Sequence, residues 1–198
     1  MPPLPYRVPR WLLLLTLLAV APGCGYNTIV AKDEAVKQAW ADVEATYQRR
    51  ADLIPNLVET VKGYASHERE TLEAVTQARA QVGQVKVSAE ELSDPAKVAA
   101  FQRAQQGMGS ALSRLLVVAE RYPALKADQN FRDLQHQLEG TENRINVARQ
   151  RYNRAVATFN TSIRSFPSNI TNNLLLHLAP KEGFKSEAGA DVAPKVKF

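Results

Sequence analysis

Phe131-Arg-Asp-Leu134-Gln-His-Gln-Leu138-Glu-Gly-Thr141-Glu-Asn-Arg-Ile145-Asn-Val-Ala148-Arg-Gln-Arg-Tyr152-Asn-Arg-Ala155-Val-Ala-Thr-Phe159-Asn-Thr-Ser162-Ile-Arg-Ser-Phe166 is the stretch that decides the fold. Its numbered positions recur at alternating steps of three and four, with charged and amide side chains between them. A helix with 3.6 residues per turn gathers such positions into one apolar stripe. A half-buried strand would need alternation with period two, which no segment of this chain sustains. At 1.5 Å per residue the helix is about 50 Å long, so the stripe needs partners of similar length. Pro167 ends it.

Upstream lies a second ladder, Val98, Phe101, Gln105, Met108, Leu112, Leu115 and Ala119. It opens at Ser93-Asp94-Pro95, a cap followed by proline at the first helical position, and stops before Tyr122-Pro123. Gly107 and Gly109 within it serve close helix contact or are tolerated at about 1 kcal/mol each. The first ladder is longer: Val36, Trp40, Val43, Tyr47, Ile54, Leu57, Val61, Tyr64, Val75, Ala78, Val82 and Val85. Its skipped seam positions hold Arg50, Glu68 and Thr71. Pro55 lies inside it, removing a backbone donor and crowding the preceding turn at about 3 kcal/mol, which predicts a kink or restart over residues 52–56. Residues 87–94 read as a linker.

Three stripes must hide one another. The expected fold is therefore all-α: an elongated antiparallel up-down bundle of three long helices plus a short fourth. The fourth starts at Ser168 and carries Ile170, Leu174, Leu175 and Leu178 before Pro180. The first helix is expected to be kinked near Pro55, with its early part projecting as a stalk. Residues 181–198, rich in Gly, Ala, Lys and Glu, read as a flexible tail.

The N-terminus carries an address. Arg7 and Arg10 precede the apolar run Trp11–Val20, and Ala21-Pro22-Gly23-Cys24 breaks it. A basic start, a run of about 10 apolar residues and small residues before a break describe a secretory signal; a bilayer-spanning helix needs about 20. Cys24 is the only cysteine, so it has no internal disulfide partner, and its place resembles a bacterial lipobox in which the thiol is acylated. Ala21 and Pro22 depart from the usual lipobox, which leaves an uncleaved N-terminal anchor as the alternative. The expected organisation is residues 1–23 as signal or anchor, 24–180 as bundle and 181–198 as tail. Either form of attachment puts the bundle outside the cytoplasmic membrane, because Arg7 and Arg10 stay inside. Gly25, not Asp, follows the cysteine, which favours the outer over the inner membrane.

Chemistry is sparse. The formal charge of +5 includes Arg7 and Arg10, and the remaining charges mix evenly, which argues against nucleic acid. His67, His136 and His177 lack the spacing of a helical metal site. No nucleophile elbow or phosphate-cradling glycine loop occurs, so no cofactor, metal or small-molecule substrate is expected. Glu68, Glu70 and Glu73 read as a solvated charged face. Arg49, Arg50, Asp52 and Asn56, around Pro55, form the candidate interaction surface, with a purely structural bend as the alternative. Asn146, Asn153 and Asn160 recur every seven residues, either to set register or as exposed filler.

Gly25-Tyr26-Asn27, Trp40 and the run from Gln48 through Asp52-Leu-Ile-Pro-Asn56 to His67-Glu68 resemble the signature of the LemA family. Arg151-Tyr152-Asn153, Phe159-Asn160, Ser165-Phe-Pro-Ser-Asn169, Gly183-Phe184 and the ending Pro194–Phe198 are similar to its C-terminal motifs. The resemblance covers nearly all of the chain after Cys24. It implies a small, membrane-attached, antiparallel helical bundle of bacteria without an established enzymatic activity. The chain looks like a lipoprotein variety of that family. The expected role is non-catalytic: an envelope-anchored interaction or scaffolding module that binds envelope proteins and is tethered through Cys24. A membrane-active or self-assembling bundle is the alternative, and an enzyme comes third.

Overall fold

The computed structural model describes residues 23–185. The expected targeting segment, the side chain of Cys24 and residues 186–198 of the expected tail lie outside the described residues.

Helix α1 spans Gly23–Tyr64, α2 spans Arg69–Gln84 and α3 spans Pro95–Ala119. The one-turn α4, Pro123–Ala127, leads into α5, Gln129–Arg164. A short α6, Ser168–Thr171, runs into a π-turn at Asn172–Leu176. Among the described residues there is no strand.

Side-chain pairs give the directions. Against α1, Trp40 meets Tyr152, Arg50 meets Glu142 and Tyr64 meets Asp128, so α5 runs antiparallel to α1. Arg79 reaches Ala51 and Val87 receives the Trp40 indole, so α2 descends. Phe101 packs on Trp40, Gln105 on Arg50, and Arg121 meets Glu68, so α3 climbs again. The result is an up-down-up-down bundle, with α1 and α5 extending beyond α2 and α3 at the end where α1 begins.

The all-α bundle is as expected, but the long first ladder is two helices, not one. Helical structure runs on through Pro55, and the restart expected at residues 52–56 falls about a dozen residues later, at Ala65–Glu68. Pro55 lacks an N–H, which leaves the Ala51 carbonyl four residues back without its helical donor. Arg79 of α2 supplies one: its Nε donates to that carbonyl at 3.1 Å. Leu53, Ile54 and Leu57 are buried on both sides of the proline, so packing holds the helix through it. At the actual break, the Glu68 carboxylate accepts from Tyr122 Oη at 2.9 Å and Arg121 Nη2 at 3.0 Å. Glu68 ties two turns together instead of joining Glu70 and Glu73 on the solvated face.

The interior has two apolar cores. One gathers Val36, Trp40, Val43, Phe101, Tyr152 and Phe159. The other gathers Leu57, Val61, Val75, Met108, Leu115 and Phe131. Between them lies a polar layer, with Arg50, Gln105 and Thr141 all buried. Gln105 and Thr141 were expected at the seam. A Cβ added at Gly107 or Gly109 would meet nothing within 4 Å, so close helix contact does not explain them. Phe166, the last rung of the deciding ladder, is 80% exposed because the helix ends two residues earlier.

Candidate functional site

The densest polar construction lies where α5 meets the C-terminal segment. From His177 the chain turns back through a left-handed residue (φ 51°) and runs as a strap without regular secondary structure along α5. Three asparagines grip it, each at one residue and by both backbone groups. Asn172 Nδ2 donates to the Leu178 carbonyl and its Oδ1 accepts the Leu178 N–H, both at 3.1 Å. Asn160 holds Lys181 in the same way at 2.9 Å and 2.9 Å. Asn153 holds Phe184 at 3.0 Å and 2.8 Å.

The spacing explains the match. Seven helical residues advance about 10.5 Å, and three residues of extended chain advance about 9–10 Å. Asparagines a heptad apart on α5 therefore meet every third residue of the strap. Gly183 sits close beside one grip: a Cβ there would lie 3.1 Å from Asn153 Oδ1, so the asparagine would have to shift by a few tenths of an ångström.

Other groups complete the latch. Tyr152 Oη donates to the Glu182 carbonyl at 2.7 Å, and burial pushes its ionisation well above the usual range, so it stays a donor. The Phe184 ring stacks on Trp40 at 5.9 Å and sits under Arg149 at 5.0 Å. Lys181 Nζ pairs with Asp33 at 3.0 Å beside the Phe159 ring, and Lys37 pairs with the same carboxylate at 3.1 Å. Lys181–Lys185, assigned by composition to a flexible tail, is thus a bonded part of the fold, with Lys181 and Phe184 buried. The correction has a local cause: its lysine and glycine serve the latch, and only Phe184 is apolar.

Burial pushes the Asp33 carboxyl up, but hydrogen bonds and charge from Lys181 and Lys37 outweigh it and hold the group below its ordinary value of 3.8. A depressed carboxylate contributes stability above its unfolded pKa and loses it as pH falls through the folded value. The ion pair is therefore expected to persist to mildly acid pH and to weaken only below about 3.8. Following the Phe184 amide by NMR through an acid titration checks this, and Asp33→Asn should abolish that step.

The structure divides the expected interaction surface. Arg49, Asp52 and Asn56 are exposed on α1, where helical spacing puts them on one face. Arg49 reaches Gln137 at 3.5 Å, and Asp52 accepts from Gln48 at 2.7 Å. Arg50 is not on that surface: it is 5% exposed. Its Nη2 donates to the Gln105 carbonyl at 3.1 Å and to Gln105 Oε1 at 2.7 Å. Its Nη1 meets Glu142 at 3.1 Å, and the Tyr47 ring lies 5.0 Å away. The reason is phase, since Arg50 holds a seam position between Tyr47 and Ile54.

Above the strap, α3 and α5 leave a groove of about 870 Å³ whose lining includes Arg50, Gln105 and Glu142. Gln102 and Arg149, also in that lining, donate to the Lys185 carbonyl at 2.8 Å and 3.4 Å. The three histidines lie on separate elements, and Asn146 is exposed. Among the described residues no group of three or more His, Cys, Asp or Glu is placed to hold a metal.

Sequence reasoning missed the strap. Its marks were the seven-residue asparagine spacing and Gly183-Phe184, read apart rather than as two halves of one contact.

A family model described as the LemA family matches residues 39–198. The chain is 28% identical over 176 residues to magnetosome protein MamQ 2 of Paramagnetospirillum magneticum, covering 81% of this chain and 62% of that protein. Against magnetosome protein MamQ of Magnetospirillum gryphiswaldense it is 28% identical over 162 residues, covering 72% and 58%. Against protein LemA of Metamycoplasma hominis it is 23% identical over 143 residues, covering 72% and 61%. The chain thus spans about three fifths of the length of these relatives.

Proposed function

Because the chain belongs to the LemA family, we propose that it is a membrane-anchored, non-catalytic scaffold of the bacterial cell envelope. It is held through a lipid on Cys24 or through an N-terminal anchor, and it displays one face of α1 to envelope proteins. The observation that carries this reading is where the polar groups are spent. Arg50, Gln105 and Glu142 join three helices, while Asp33, Tyr152, Asn153 and Asn160 close the strap. Groups arranged to hold one another make a rigid support. The attachment is supported by the sequence, where the apolar run Trp11–Val20 leads to Cys24. The face left for partners is Arg49, Asp52 and Asn56, whose side chains bond only at its edge. An address on the outer membrane, with the bundle outside the cytoplasm, belongs to the same proposal.

Two measurements on the full chain in cells test it. Cys24→Ser is expected to remove a lipid-sized mass and release the protein from the membrane fraction; unchanged mass and attachment would rule out acylation. A photo-crosslinking residue at position 56 is expected to give discrete protein adducts that vanish with Arg49→Glu and Asp52→Lys. Adducts indifferent to that charge reversal would refute the docking face.

A further inference from the structure

Large apolar side chains lie exposed together at one end of the bundle. Phe166 is 80% exposed, Leu174 70%, Leu175 59% and Ile170 46%, all within one short segment. Leu176 and Leu178 of the same segment turn inward and pack on the core around Trp40, so the π-turn splits its leucines into an inner and an outer set. The segment is fastened beside the start of α1. A Cβ at Gly25 would lie 3.0 Å from Ser168 Cα and 3.2 Å from Thr171 Oγ1, tighter than side chains ordinarily pack. Tyr26, 43% exposed, joins the same end. In the sequence the apolar run Trp11–Val20 immediately precedes this end.

Basic side chains predominate at that end, where the first acids of α1, Asp33 and Glu34, are both paired with Lys37. From residue 143 to residue 181 there is no Asp or Glu, while Arg151, Arg154 and Arg164 occur. Residues 23–32 add Lys32 and no acid. Lys32, Arg151 and Arg154 share one shallow hollow on the flank of α1 and α5. At the opposite end both signs mix, as in Arg121 with Glu68 and Lys126 with Glu120. The large hydrophobic side chains exposed there are Val117 and Tyr64, the latter bonded through its hydroxyl to Asp128.

We propose that this end of the bundle is a second membrane contact, a wedge of Phe166, Ile170, Leu174 and Leu175 set into the headgroup region of an anionic bilayer. The inference rests on the membrane-anchored reading above, which brings a bilayer to this end. Exposed apolar clusters of this kind mark interaction sites. A short apolar face under basic side chains suits the boundary between headgroups and acyl chains, where the leucines leave water and the cations meet lipid phosphates. Arg164 lies in the last turn of α5, beside the wedge. Lys32 and Arg154 lie about 15 Å and Arg151 about 20 Å farther up the helices, where their charge attracts an anionic surface over a distance comparable with screening in salt.

The test uses the full chain reconstituted in vesicles, with benzoylphenylalanine placed singly at position 174, 175 or 117. Irradiation is expected to give phospholipid adducts at 174 and 175 and none at 117. The yield should be several-fold higher in vesicles containing phosphatidylglycerol than in phosphatidylcholine alone. Protein adducts in place of lipid at 174 and 175, or lipid yields no greater than at 117, would overturn the inference. If the protein cofloats with the vesicles in that case, anchoring stands and only the wedge falls.

Discussion

Trp40→Ala is expected to cost about 3–5 kcal/mol, the range for removing a large aromatic from a packed core, and to leave the end of the bundle near α6 poorly ordered. Trp40 is 1% exposed and touches every layer around it. Its ring lies 5.1 Å from Phe101 of α3, 5.2 Å from Tyr152 of α5 and 5.9 Å from Phe184 of the strap. Its indole N–H serves the Val87 carbonyl at 3.0 Å. Alanine deletes these packings together and strands a carbonyl in the linker. Chemical denaturation of the two proteins measures the loss. Trp40→Phe should recover more than half of it, since the ring volume is largely kept and only the indole bond is given up. A Trp40→Ala protein within about 1 kcal/mol of wild type, the ordinary effect of a point substitution, would contradict this packing.

The second large effect is local. The pair Asn153→Ala with Asn160→Ala removes four hydrogen bonds to the strap backbone, each with a net value of roughly 0.5–1.5 kcal/mol. The bundle should stay folded, because the contacts that join α1, α2, α3 and α5 to one another remain when the strap opens. The strap should open by local unfolding. Amide exchange at Lys181 and Phe184 is expected to rise by at least tenfold, while the Leu57 and Leu115 amides in the other core stay protected. Equal acceleration at all four would mean that the asparagines support the whole bundle, not the strap. Asn→Asp at the same sites is a sharper probe, since a carboxylate accepts but cannot donate. It should keep the strap N–H bonds and lose the carbonyl ones.

Much of the fold was legible because it depends on one periodic quantity. The ladder from Val98 to Ala119 is buried at every rung, and Gln105 belonged to it despite its polarity. Phase alone also marked Arg50 as a seam residue, which its charge and its neighbour Arg49 made easy to discount. Pro55 was misread for a different reason. The penalty for a proline inside a helix is local, but the donor that offsets it comes from Arg79, distant in sequence and on another helix. No window around Pro55 contains that information. The strap failed similarly: Lys181, Gly183 and Phe184 have no period of their own, and their order is imposed by Asn153 and Asn160 on α5. Regular structure announces itself along the chain, whereas irregular structure is specified by whatever it lies against.

The bond from Arg79 to Ala51 makes the continuity of α1 through Pro55 a property of two helices. A 42-residue rod with an unserved carbonyl near its middle is weakest at that point. With α2 in place the defect is spliced, and a push on the far turn is carried along the full shaft. Were α2 to peel away, the splice would go with it and the shaft would gain an elbow at Pro55, folding first where it had been mended.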